Sequence, residues 1–223
     1  MFKYPTGLIT RFLVLTCGVA CALGFTSETS QAAPSTQKTA LFIGDSYSAG
    51  KGAGNVAKRF TTLTADAMGW REVNAAQGCT GYVAQCWQNG KLHISYEAVL
   101  QTITFQPDIV IVSGGRNDQW TSNTSASIYW FYACLHAKFP KAQLFATSPI
   151  WGSTRKPPAK MQLLQTAVRT AALGNGATYI DLGNPLLGHP EYMAKDAIHP
   201  NVSGHAAIAN ALIRSLANLV PAN

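Results

Sequence analysis

Two kinds of pattern alternate along the chain. Short apolar runs rich in β-branched residues end at glycines or polar turns: Thr39–Ile43 before Gly44, Ile109–Val112 before Gly114-Gly115, Gln143–Ser148 and Thr178–Asp181, with a weaker run at Glu72–Asn74. These read as strands. Between them lie stretches of helical periodicity: Val56–Met68, Tyr96–Phe105, Ser125–Phe139, Ala159–Leu173 and Ser203–Leu219. Gly69, Pro107, Pro140 and Gly174 stop the first four, and the last carries Ile208, Leu212, Leu216 and Leu219 on one face. Five buried-type strands separated by helices predict an α/β fold with a parallel sheet covered by helices on both faces. The run Tyr129-Trp130-Phe131-Tyr132 falls inside a predicted helix, where four consecutive side chains fan over roughly 300°. Two of them are expected to face the sheet and two the surface. The alternative is that one of them, with Trp120 or Trp151, walls a substrate pocket.

The N-terminus follows neither pattern. Lys3 and Arg11 precede Phe12–Phe25, a mostly apolar run of fourteen residues. That is the length of a signal-peptide core and too short for a comfortable membrane span. Small residues at Ser30-Gln31-Ala32 and Ala33 suit cleavage after Ala32 or Ala33. Residues 1–33 are therefore expected to be a signal peptide and 34–223 the working domain. Gly18-Val19-Ala20 before Cys21 makes a poor lipidation signal.

Composition agrees with export. The chain of 223 residues is 47% hydrophobic but only 12% charged, about half the charge usual in soluble domains. Its net charge of +7 becomes +6 once residues 1–33 are removed, with 15 basic and 9 acidic side chains left. The charges are scattered, with no basic run and no nucleic-acid motif, so an anionic cell envelope is a better partner than nucleic acid. A monomer is expected. Of the three cysteines in the working domain, Cys79 and Cys86 are seven apart in a Gly-rich polar segment. They are expected to form a disulfide worth roughly 2–3 kcal/mol. Cys134 reads as a buried thiol, and no zinc spacing is present.

Candidate chemistry gathers at the strand ends. Ligands of such folds bind beyond the carboxyl ends of the strands, where Gly44-Asp45-Ser46-Tyr47, Asn74 through Gly81, Gly114-Gly115-Arg116-Asn117-Asp118 and Asp196-Ala197-Ile198-His199-Pro200 fall. A serine hydroxyl needs a base to become a nucleophile. His199 supplies one, and Asp196, read as one helical turn earlier, orients the imidazole. The N–H groups of Ser46 and Gly78 and the side-chain amide of Asn117 are candidate donors to a developing oxyanion.

These four blocks resemble the SGNH, or GDSL-type, hydrolases over essentially the whole working domain, from Leu41 to about Leu212. The resemblance implies a flavodoxin-like three-layer α/β/α sandwich with a five-stranded parallel sheet. It implies a Ser46–His199–Asp196 triad, an oxyanion hole of Ser46, Gly78 and Asn117, and ester hydrolysis with no metal or other cofactor. Gly81 competes with Gly78 for the oxyanion position. The family spans lipases, thioesterases, glycan O-acetylesterases and acyltransferases, so substrates from small esters to acylated glycans and lipids stay open, as does hydrolysis against acyl transfer.

Three rivals are weaker. Gly44–Lys51 has five residues between its first Gly and the Gly-Lys where a phosphate loop has four, and Gly52 stands where that loop needs Ser or Thr. A glycan-binding module would have no use for a serine, a base and its orienter. A metal shared by Asp196, His199 and His205 would need the two histidines on one face, and a spacing of six on a helix separates them. His205 reads as a helix-start residue, and His93, His136 and His189 as surface or loop histidines. The connections Thr80–Ser95 and Trp151–Pro158 carry no amphipathic lid helix, and Trp151, Arg155 and Lys156 suit a polar or anionic substrate. Short acyl groups, acetyl to butyryl, are therefore expected.

Overall fold

In chain order the elements are β1 (Thr39–Gly44), α1 (Phe60–Ala67), β2 (Arg71–Asn74), β3 (Cys86–Gln88), β4 (Lys91–His93), α2 (Tyr96–Thr102), β5 (Ile109–Ser113), α3 (Thr124–Lys138), β6 (Gln143–Thr147), α4 (Ala159–Gly174), β7 (Thr178–Ile180) and α5 (Val202–Ala217). The structure is a computed structural model and describes residues 37–152 and 156–220. The expected signal peptide lies outside the described residues. Within them, no helix is long and apolar enough to cross a membrane.

Five strands form one sheet in the order β2-β1-β5-β6-β7, every pair parallel. The most apolar runs, β1 and β5, are neighbours near its middle and are buried throughout. Successive strand side chains point to opposite faces, so a strand apolar at every position must be covered on both. Leu41, Ile43, Val110 and Val112 share one core with Leu100, Phe131, Leu135, Leu164 and Val168 from α2, α3 and α4. Ala40, Phe42, Ile109 and Ile111 share the other with Phe60, Ala65, Ile208, Leu212 and Leu216 from α1 and α5. The result is the expected three-layer α/β/α sandwich.

The aromatic run on α3 divides as expected. Phe131 and Tyr132 are buried, whereas Tyr129 and Trp130 are 53% and 60% exposed. Two other expectations need correction. Val56–Met68 is not one helix: a short 3-10 turn at Val56–Lys58 gives way to α1 at Arg59, whose backbone is extended. Arg59 instead bonds Thr62 and Glu72, tying the start of α1 to edge strand β2. Cys134 is half-buried rather than buried.

The Thr80–Ser95 connection holds the antiparallel hairpin β3–β4, whose turn is Asn89-Gly90 with both φ positive. Asn-Gly is the favoured pair for such a tight turn. Two constraints fix this connection to the body. One is a Cys79–Cys86 disulfide with Cα atoms 6.1 Å apart. The other is Asp118, a fully buried carboxylate that accepts the N–H groups of Tyr82, Val83 and Ala84, each at 2.9 Å. Gly81 must be glycine here, since a Cβ would lie 2.2 Å from Asp118 Oδ2.

Peptide mapping of unreduced protein is expected to link Cys79 to Cys86 and leave Cys134 alkylatable. Closing so short a loop is worth about 2.5 kcal/mol by chain entropy, so reduction should lower the denaturation midpoint correspondingly. A bridge involving Cys134 would contradict the pairing.

Candidate active site

The sharp turn after β1 builds the first part of the site. Asp45 Oδ1 accepts the Tyr47 N–H at 2.9 Å, and the bonds Ala49 N–H to Asp45 O and Lys51 N–H to Ser46 O wind the next residues into a tight turn. This leaves the Ser46 side chain half-exposed at the sheet's carboxyl edge. Block two contributes mostly scaffolding. Asn74 donates to Ser48 O and Thr61 Oγ1, Gln77 N–H donates to Gly44 O, and Gln77 Oε1 accepts the Ile94 N–H.

The loop before α5 brings the histidine. Asp196 and His199 do not meet along a helix, as their spacing suggested. They lie in a turn in which Ala197 takes φ 54°, and α5 starts only after its cap, Asn201. Asp196 Oδ1 accepts the N–H groups of Ile198 and His199, both at 3.0 Å, which folds the loop back on itself. Asp196 Oδ2 lies 2.7 Å from His199 Nδ1, and His199 Nε2 lies 3.0 Å from Ser46 Oγ. A proton on Nδ1, facing the carboxylate, leaves Nε2 as the acceptor for the serine hydroxyl. The hydrogen bond from the His199 ring, helped by the loop N–H groups, holds the Asp196 carboxyl far below the usual carboxylate range.

Three donors face the same cleft. Ser46, Gly78, Asn117 and His199 all line a cavity of about 660 Å³. Neither the Ser46 nor the Gly78 N–H makes a hydrogen bond among the described residues. One N–H of the Asn117 amide holds Thr80 O at 2.9 Å and the other is left over. Gly81, by contrast, donates its N–H to Ala84 O beneath the loop, and it is Gly78 that lines the cleft. Lys51, Gln88, Arg116 and Gln119 make the wall polar, while Trp120 and Trp151 add aromatic surface. Trp120 is 82% exposed, and the α3 aromatics do not reach the cleft. Gln88 and Gln119 lie outside the residues singled out from sequence, and Lys51 drew notice only in the phosphate-loop pattern, because nothing in their spacing ties them to this site.

Of the other histidines, His136 lies exposed on α3, and the remaining three have partners of their own. His205 is fully buried inside α5, where its ring stacks on Phe60 and its Nε2 meets Lys51 O. Burial pulls its pKa down. His93 Nδ1 meets Gly78 O at 2.9 Å, and His189 pairs with Glu191. Among the described residues, the potential metal-ligand grouping is Cys79, Cys86 and His93, two of which are joined in the disulfide.

Residues 42–207 match the GDSL-like lipase/acylhydrolase family. The chain is 29% identical over 188 residues to the GDSL lipase Rv0518 of Mycobacterium tuberculosis, covering 75% of this chain and 77% of that one. Its fold is similar to a family two carbohydrate esterase from Cellvibrio japonicus (TM-score 0.66, 19% identity, 82% of this chain and 61% of that one). It is also similar to the acetyl xylan esterase Est2A from Butyrivibrio proteoclasticus (TM-score 0.63, 18% identity, 84% and 66%). The chain belongs to the GDSL-like lipase/acylhydrolase family and is a hydrolase acting on carboxylic esters.

Beneath Ser46, the Asp45 carboxyl is buried, and desolvation raises its pKa to about 6 despite the Tyr47 N–H and nearby Arg116. The folded state thus binds this proton more tightly than the unfolded chain, where a carboxyl titrates near ~3.9. The stabilisation is full below ~4 and is lost as pH rises through about 6. Asp45→Asn should therefore match the wild type in stability near pH 4 and exceed it near pH 8 by roughly 2–3 kcal/mol. Denaturant titrations at the two pH values check this. An equal difference at both would contradict it.

Proposed function

We propose that the protein is an exported serine esterase that removes short acyl groups, acetyl to butyryl, from small esters or acylated glycans. The observation that carries this reading is the unbroken line from Asp196 through His199 to Ser46, which ends in the cleft that Gly78 and Asn117 also line. In this mechanism Ser46 Oγ attacks the acyl carbonyl carbon while His199 Nε2 takes its proton. The charge on the former carbonyl oxygen is met by the N–H groups of Ser46 and Gly78 and by the Asn117 amide. As the tetrahedral intermediate collapses, the imidazolium returns the proton to the departing alcohol, leaving an acyl-serine. Water, deprotonated by the same nitrogen, releases the acid and restores Ser46. Asp196 stays ionised throughout and stabilises the imidazolium. Every step runs on groups of this chain, without a metal or other cofactor.

Support for a short acyl group comes from the walls. The Thr80–Ser95 connection is a pinned hairpin rather than a movable amphipathic helix, and the cleft mixes Lys51, Gln88 and Gln119 with tryptophan faces. Such walls suit a sugar or another polar alcohol better than a lipid film. Support for export comes from the N-terminal sequence and from a disulfide, which persists in oxidising compartments. The basic net charge favours an anionic envelope as its surroundings.

The test is kcat/KM on p-nitrophenyl esters from two to sixteen carbons, with a maximum expected at two to four. A maximum at twelve or more, or activation at a lipid interface, would make the protein a lipase instead. In the same assay Asn117→Ala should lower kcat by about 10²–10³-fold with little change in KM. A rise in KM alone would make Asn117 a ground-state binding residue.

A further inference from the structure

Each residue of the proposed machinery has a neighbour in sequence, and three of these neighbours meet one another. Tyr47 follows Ser46, Arg116 precedes Asn117, and Ile198 precedes His199. The Tyr47 hydroxyl donates to Ile198 O at 2.5 Å. Arg116 Nη1 donates to the same carbonyl at 3.0 Å and also to the Tyr47 hydroxyl. The guanidinium lies over Trp151, 4.6 Å from its ring centroid, and near the Tyr47 ring at 5.5 Å. The Tyr47 ring in turn meets the His199 imidazole edge-on, with centroids 6.0 Å apart.

The loop that carries His199 needs such support. Lys195 through Ile198 are exposed, Ile198 by 48%, and Ala197 holds a left-handed conformation. The bonds from Ala194 N–H to His199 O and from Ala197 N–H to Ala194 O close the loop on itself and fasten it to nothing else. Among the described residues, the hydrogen bonds from residues 194–199 to the rest of the fold are His199 to Ser46 and the pair received by Ile198 O. The first of these is the reacting bond and must be remade in each cycle. The second pair is free to persist.

Taking Ser46 and His199 as nucleophile and base, as proposed above, we infer that Arg116 and Tyr47 are positioning residues that clamp the Ile198 carbonyl and so hold the imidazole at its working distance from the serine. Arginine suits the task because the two N–H groups of Nη1 serve one acceptor each while the planar face packs on an aromatic ring. The Tyr47 hydroxyl is an enduring donor, with burial pushing its pKa up to about 12. The clamp also ties together loops from β1, from β5 and from the segment before α5. The turn that carries the nucleophile, the loop that carries the Asn117 amide and the loop that carries the base are then fixed to one another.

Kinetics on p-nitrophenyl butyrate with Arg116→Ala, Arg116→Lys, Tyr47→Phe and the Arg116→Ala/Tyr47→Phe double variant test this, with Ser46→Ala alongside. A misplaced reacting group costs up to about 10²-fold. Arg116→Ala should therefore lose about 10–100-fold in kcat with KM within about twofold of the wild type. Arg116→Lys should fall between, and added guanidinium at about 20 mM should restore part of the loss. Tyr47→Phe, which removes only an oxygen, should also lower kcat, and the double variant should lose less than the product of the single losses, because both groups act on one carbonyl. A rise in KM at unchanged kcat would make Arg116 a substrate-binding residue and overturn the clamp. So would losses that merely follow the folded fraction, or multiply independently. If Ser46→Ala is inactive while Arg116→Ala keeps its kcat, the clamp alone fails. If Ser46→Ala keeps turning over, the serine mechanism fails with it.

Discussion

The parallel pairing of β1 with β5 is the constraint on which the site depends. The register places Gly44 opposite Ser113, so both strands end at the same level. Two residues past Gly44 stands Ser46, and four past Ser113 stands Asn117. The bond from Ser48 Oγ to Ser113 O sews the two exits together. A slip of this pairing would separate serine from amide and exchange the faces of the inserted strand. The burial of both strands on both faces opposes such a slip, because each apolar side chain already has a partner layer.

Above this base the loops are held by polar groups taken out of water. Asp45 shapes the serine turn and Asp118 grips the Tyr82–Ala84 backbone, and burial raises the pKa of both. Asp196 does the opposite work: exposed and well bonded, it remains an anion beside His199. Three acids of similar sequence appearance thus take different parts according to their solvation. Buried groups of this kind are costly unless their bonds are satisfied; Asp118 accepts three backbone N–H groups, whereas Asp45 accepts that of Tyr47.

The layers were legible because Ala40–Ile43 and Ile109–Val112 are unbroken apolar runs and the helices between them end at glycines and prolines. Four polar blocks at predicted strand ends brought Ser46, Gly78, Asn117, Asp196 and His199 into one candidate site, and the same five now lie within one neighbourhood. What escaped was set by contacts between segments. The hairpin at Cys86–His93 is short and polar, and its Asn-Gly turn was its sole local mark. The break at Arg59 follows from a partner on β2, and the Asp196–His199 approach follows from a turn at Ala197 rather than from helical spacing. Arg116 was visible in the third block but had no role of its own there, since its three neighbours, Tyr47, Trp151 and Ile198, come from distant parts of the chain.

Activation of Ser46 by His199 is the step on which the proposed chemistry depends. The direct measurement is mass spectrometry of peptides from protein treated with a p-nitrophenyl phosphonate. The adduct is expected on Ser46, absent in Ser46→Ala, and formed far more slowly in His199→Ala, whose hydroxyl has lost its base. An adduct on another residue, or labelling of Ser46 at an unchanged rate without His199, would contradict it.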